Sequence, residues 1–194
     1  MFKLAVYGAG GFGKEVQGMI EMNQSKNSFA GYIDDFQSGI PILQKNDFDD
    51  VLIAIADPII RKRIVENWNR KKVDFTNLIC ADISLHPSVK VDRGAIICAG
   101  VKMTVDIHVG SFTIINLNST IGHDVQIGDY CSIMPSVNIS GNVKIGEGTF
   151  IGAGATILQN LSIGAGAIIG AGAVVTHSVL SGESVKGVPA RSYT

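Results

Sequence analysis

Residues 121–145 read IGHDVQIGDYCSIMPSVNISGNVKI, with isoleucine at 121, 127, 133, 139 and 145. A spacing of six matches neither the helical repeat nor simple strand alternation; it marks a parallel β-helix built from one hexapeptide per face. The same apolar track continues without a miss through Leu85, Val91, Ile97, Met103, Val109 and Ile115 on one side and Ile151, Ile157, Ile163, Ile169 and Val175 on the other. Two residues before the track lies a second inward position, mostly small or β-branched, as at Val125, Cys131, Val137, Val143 and Ala155. Glycine follows the track residue at Gly110, Gly122, Gly128, Gly146, Gly152, Gly164 and Gly170, where the expectation is a turn that uses its freedom in φ. Three hexapeptides make one triangular coil, so the repeat predicts about five coils.

At 194 residues the chain has room for two small domains. The boundary is placed where the repeat begins, giving an α/β domain over 1–80 and a β-helix with a C-terminal tail over 81–194. A net charge of −1 offers no broad electrostatic footprint for nucleic acid or an anionic membrane, so neither is expected as a partner. The opening residues run into a glycine turn after too short an apolar stretch for a signal peptide, and no segment has the length of a membrane span. The expected location is therefore cytoplasmic. Cys80, Cys98 and Cys131 lack metal-ligand spacing and read as buried free thiols.

Lys3 to Tyr7 reads as a buried strand that runs into Gly8-Ala9-Gly10-Gly11-Phe12-Gly13, with a helix from about Lys14 to Met22. Glycines 8, 10 and 13 satisfy GxGxxG in the setting where it has a mechanism: a tight turn, close backbone approach, and helix N-terminal amides facing a phosphate. Phe29 to Ile33 reads as a second strand, and Asp34 and Asp35 follow it at the distance where a carboxylate takes a ribose hydroxyl. Val51 to Ala56 reads as a third strand, Pro58 to Lys71 as a helix, and Phe75 to Ile79 as a last strand. Only half of a full dinucleotide fold fits. Such a half holds one nucleoside diphosphate, which favours a sugar nucleotide over a nicotinamide dinucleotide.

Several motifs occur in one order: the glycine turn with Lys14, Ile33-Asp34-Asp35, Ile53-Ala54-Ile55-Ala56 with Arg61 downstream, Ile121-Gly122-His123-Asp124, and Gly187-Val188-Pro189-Ala190-Arg191. Together they resemble the sugar O- and N-acetyltransferases of the sialic acid O-acetyltransferase type, which are hexapeptide-repeat acyltransferases. Within that group the resemblance is nearest to the UDP-4-amino-sugar N-acetyltransferase of bacillosamine synthesis and its perosamine and viosamine relatives, and it spans essentially the whole chain. It implies a left-handed parallel β-helix and a homotrimer with acetyl-CoA between neighbouring solenoids. It also implies acetylation of the amine of a nucleotide-linked 4-amino-4,6-dideoxy sugar, with no metal. Two alternatives stay open: O-acetylation of sialic acid or a related sugar, and a nucleotide-binding trimer without catalysis.

Acetyl transfer from a thioester to an amine needs a base for the amine proton and hydrogen-bond donors for the developing oxyanion. His123 is the candidate base, because it lies past the inward Ile121 and its turn and can project outward. Asp124 is the adjacent carboxylate able to orient it. The glycine fingerprint and the resemblance together assign substrate contacts to Gly8, Gly10, Gly11, Phe12, Gly13, Lys14, Asp34 and Asp35, and the resemblance adds Asn118. The resemblance further implies acetyl-CoA contacts at Ser132, Gly141, Ala153, Ala171, Lys186 and Arg191. Three positions depart from the family pattern: Asp124 stands where close relatives carry Glu, Ser132 where they carry a second histidine, and Phe12 where the glycine turn usually holds a histidine. His86, His108 and His177 have no acid partner at motif spacing and read as surface or structural residues.

Overall fold

A computed structural model of the chain describes residues 2–23, 27–35, 43, 47–69 and 73–193. Strands β1 (Phe2–Tyr7), β2 (Asn27–Ile33), β3 (Asp50–Ile53) and β4 (Asp74–Phe75) form a parallel sheet in the order β2-β1-β3-β4. Helix α1 (Gly11–Met22) follows β1 and helix α2 (Pro58–Asn69) follows β3. Strand alternation decides which residues face which helix. Leu4, Val6 and Leu52 pack with Val16, Met19 and Ile20 of α1, while Ala5, Tyr7, Val51 and Ile53 pack with Ile64 and Val65 of α2. Between β2 and β3 the chain passes to the other side of β1, so the crevice at the carboxyl ends of β1 and β3 is a topological switch point, the place where open α/β sheets hold ligands.

The stretch Phe75–Ile79, expected as one strand, is two. Asp74–Phe75 closes the α/β sheet, whereas β5 (Leu78–Ile79) pairs with Ile96 and Ile97 and forms the first rung of the solenoid. At the far end Ser184–Lys186 pairs onto Ile168–Ile169, so the solenoid has about six turns rather than five. Coils stack in strict register: Thr120 lies between Lys102 and Asn138, Gln126 between His108 and Lys144, and Ser132 between Ile114 and Phe150. The inward isoleucines form one continuous core down the axis, from Ile97 through Ile121 and Ile139 to Ile169.

The glycines after the inward isoleucines do a different job from the one expected. None of them has a left-handed φ; that conformation falls two residues later, at Phe112, Asp124 and Tyr130 and, in the later coils, at Gly148, Gly154, Gly166 and Gly172. What Gly122 provides is clearance, since a Cβ there would meet the Gly141 amide nitrogen at 2.7 Å; at Gly152 it would meet that of Ala171 at 2.5 Å. The next coil is too near for any side chain.

The α/β unit covers one of the three solenoid faces. Leu78, Cys80, Ile96, Cys98 and Ile114, all on the outside of the first sheet, are buried in the same apolar cluster as α1. Phe112 joins the α2 side, edge-on to Phe75 at 5.1 Å and stacked on Tyr130 at 5.3 Å. Phe112 and Tyr130 are both left-handed turn residues, with φ 56° and 55°, a conformation that costs an L residue about 1–2 kcal/mol. Ring burial against the helix offsets that cost. One coil and two coils further on, beyond the helix, the equivalent corner positions are Gly148 and Gly166.

Candidate active site

The glycine turn sits at the switch point. Gly8, at φ 104°, turns the chain out of β1, and a Cβ there would crowd Ile55 and the Ala54 carbonyl across the crevice. Gly13 packs so tightly on Gly8 that a Cβ would fall 1.9 Å from its carbonyl oxygen. Gly10 and Gly11, by contrast, face open space. Gly10 caps α1 with no side chain bonded to the helix amides, so the first-turn N–H groups are available to an anion. The helix thus begins at Gly11, ahead of the expected Lys14.

The two aspartates hold this turn in place. Asp34 Oδ2 accepts the Ala9 amide at 2.9 Å, and Asp35 Oδ2 accepts the Tyr7 hydroxyl. Burial first, and then the bond to Asp35, push the Tyr7 phenol well above its ordinary range, so it remains a donor. Lys14 is exposed on α1, whereas Phe12 packs into the apolar cluster between α1 and the solenoid.

His123 and Asp124 lie on the solenoid corner that follows the strand Thr120–Ile121. Adjacent side chains in extended backbone point apart. Here Asp124 is the left-handed turn residue, φ 59°, and the reversal folds its carboxylate back so that Oδ2 sits 2.7 Å from His123 Nδ1. Aspartate is among the few non-glycine residues that accept this conformation readily. The pair is open to solvent, 64% and 58% exposed, and Nδ1 is the ring nitrogen engaged by the carboxylate, an arrangement in which Nε2 can accept a proton. Asn118 stands on the turn before the same strand, so it and His123 occupy opposite edges of one face, on the order of 15 Å apart at strand rise.

Ser132 is in a different place from the acetyl-CoA groove expected of it. It is fully buried under α2, and its Oγ donates to the Ala56 carbonyl at 2.5 Å and accepts from Arg61 Nη2 at 3.0 Å. Arg61 is the centre of this seam. Nε donates to Phe112 O at 2.8 Å, Nη1 to Ile55 O at 2.5 Å and Ala56 O at 3.1 Å, and Nη2 to Tyr130 O at 2.6 Å and Cys131 O at 3.0 Å. Burial pushes the guanidinium down to about 10, which leaves it charged at neutral pH, with its donors satisfied by carbonyl dipoles. The sequence showed Arg61 as part of a motif but not its role, because its partners on the solenoid lie more than fifty residues away.

The remaining acetyl-CoA candidates form columns along the solenoid. Ala153 and Ala171 are exposed on one corner and stacked through the Gly172 amide to the Ala153 carbonyl. Lys186 continues that edge, its Cβ lying 2.8 Å from where a Gly170 Cβ would be, and it pairs across the terminal hairpin with Arg191. Gly141 lies on the His123 corner, one coil on. Among the other histidines, His108 does have an acid: Nε2 is 2.9 Å from Asp92 Oδ2, a contact made by coil stacking and hidden from any local motif. A hollow of about 540 Å³ between α2 and the later coils, lined by Pro58, Ile59, Tyr130, Phe150 and Ile168, holds none of the candidate residues.

A β-solenoid carrying a carboxylate-held imidazole on one corner, joined to a phosphate-type glycine turn, defines an acyltransferase of the hexapeptide-repeat class. The family model of the PglD N-terminal domain matches residues 3–68, and that of the bacterial transferase hexapeptide matches residues 142–177. WeeI from Acinetobacter baumannii AYE is 34% identical over 98% of this chain and 99% of its own, with a TM-score of 0.85. The acetyltransferase domain of PglB from Neisseria gonorrhoeae FA1090, solved with acetyl coenzyme A, is 30% identical over 98% of each chain with a TM-score of 0.90. A histidine-to-asparagine variant of perosamine N-acetyltransferase from Caulobacter crescentus, in complex with CoA and GDP-perosamine, is 25% identical over 98% of this chain and 96% of that one, with a TM-score of 0.92. A search of curated proteins with the sequence finds no match. The chain belongs to the hexapeptide-repeat sugar acetyltransferases related to the bacillosamine and perosamine enzymes.

Proposed function

We propose that the protein transfers acetyl from acetyl-CoA to the amine of a nucleotide-linked 4-amino-4,6-dideoxy sugar, as a homotrimer in the cytoplasm. The observation that carries this reading is the coincidence, in one chain, of an uncapped glycine turn at a switch point and an imidazole held by a carboxylate on an open solenoid corner. The likeness over nearly the full length to an enzyme solved with CoA and GDP-perosamine supports it. The diphosphate lies on the Gly10 and Gly11 amides, with Asp34, Asp35 and Lys14 beside the nucleoside. His123 Nε2 takes the proton as the amine attacks the thioester carbonyl, Asp124 steadies the imidazolium that forms, and as the C–S bond breaks that proton passes to the sulfur, so that CoA leaves as the thiol. The three cysteines are free, in keeping with a reducing compartment, and no helix among the described residues is long and apolar enough to cross a membrane.

The placement of the candidates supports a trimer. One solenoid face is covered by the α/β unit, and a second carries Lys90, His108, Gln126 and Lys144 outward. The third presents Thr120, Asn138, Thr156 and Val174, with exposed Leu117 on one edge and Val105 and Leu158 on the other. Asn118, Ala153, Ala171 and Lys186 share the first edge; His123 and Gly141 share the second. A site that uses both sets closes when one copy's first edge meets the next copy's second, and three copies round one axis leave no edge open.

Incubation with acetyl-CoA and a panel of UDP-, dTDP- and GDP-4-amino sugars, read by thiol release and product mass, tests the reading. Amide formation on one of them is the expected result. Turnover of sialic acid without a nucleotide, or binding without turnover, overturns it.

A further inference from the structure

Gly141 falls outside both classes that explain the other solenoid glycines. Its φ is not left-handed, so backbone conformation does not demand glycine there. Nor is it held against a neighbouring coil's backbone, as Gly122 and Gly152 are. The three atoms nearest to a Cβ at 141 all belong to the His123 ring: Nε2 at 2.5 Å, Cε1 at 2.6 Å and Cδ2 at 2.9 Å. In the corner column Val105, His123, Gly141, Gln159, His177, the residue without a side chain comes directly after the histidine.

We propose that Gly141 is a positioning residue for His123: the bare Cα is a shelf on which the imidazole lies, and lying there it points Nδ1 at Asp124 and leaves Nε2 as the base. The proposal rests on the reading of His123 as general base. An alanine at 141 takes the shelf away, because every atom on that side of the ring is then inside contact distance. The ring must swing off the corner, and the 2.7 Å bond to Asp124 is lost with it. This role is separate from the acetyl-CoA wall that the resemblance assigns to the same residue.

Stability and spectroscopy separate the two roles without any substrate. Gly141→Ala should lower Tm slightly in the natural background, by no more than the His123–Asp124 contact contributes, and leave it unchanged in His123→Ala, since the double variant has no ring to strike; such a cycle isolates the pairwise term. Nitrogen-15 NMR of the His123 ring in the ligand-free protein should show the Nδ1–H tautomer, and Gly141→Ala should convert it to the mixture of a free imidazole. With a confirmed acceptor, kcat should fall roughly 10²-fold, the scale of a catalytic group misplaced by about an ångström. An unchanged tautomer with a raised KM for acetyl-CoA, or equal destabilisation in both backgrounds, overturns the shelf. A shifted tautomer with normal turnover overturns the base assignment instead.

Discussion

His123, on the corner between the two uncovered faces, and Ser132, on the covered face, are built by the same six-residue rule, yet one is open to solvent and the other is sealed. The difference lies in what lands on each face. Under α2, Arg61 gathers carbonyls from both halves of the molecule and draws Ser132 into a closed polar knot. At the His123 corner the ring stays open to solvent, and among the described residues its partners are one turn residue and one bare Cα. The repeat supplies equivalent positions, and neighbouring elements decide which becomes structure and which becomes chemistry.

Removing the reactive group from the open corner should have the largest effect. His123→Ala should lower kcat by roughly 10²–10⁴-fold with both ligands still bound and Tm nearly unchanged, measured by steady-state kinetics beside calorimetry. The sealed side should behave in the opposite way. Arg61→Met strands several carbonyls and the Ser132 hydroxyl, and loss of about two charged hydrogen bonds, on the order of 3 kcal/mol, should lower Tm by roughly 6–12 °C. Comparable losses of activity and stability in either variant would erase the contrast.

Gly10→Val probes the third region, where a Cβ meets nothing in the free protein. Its folding should be unaffected while calorimetry shows sugar-nucleotide affinity falling about tenfold or more, with acetyl-CoA binding intact. Asp124→Asn keeps a residue that tolerates the left-handed turn and removes only the charge, so its loss in kcat should be smaller than that of His123→Ala. The smallest effect is alkaline. Burial pushes the thiols of Cys98 and Cys131 up to about 12 and about 11. Above the ordinary thiol range, roughly 8.5–9, the unfolded chain releases protons that the folded one keeps. Stability from this source is therefore full below that range and declines as pH rises beyond it. Urea titrations at pH 7 and pH 10 should show the decline, and Cys98→Ala should make it shallower.

Some of this was legible in residues close together in the chain. The six-residue track from Leu85 to Val175 names a β-helix because no other backbone repeats its inward position at that interval, and the strand, glycine turn and helix at residues 3–22 are a local motif with local causes. The histidine with its acid was visible too, as neighbours. What joins residues a whole coil or a whole domain apart was invisible. The stacking of coils brings Asp92 to His108, sixteen residues on, and the 18-residue step brings Gly141 under His123, while α2 brings Arg61 to Ser132, which no spacing rule announces. The start of the solenoid at Leu78 depended on which sheet offered that strand a partner. Even the bond between His123 and Asp124 awaited the fold, because adjacent side chains meet only when one residue takes a left-handed turn, and the stacking of coils is what holds it there.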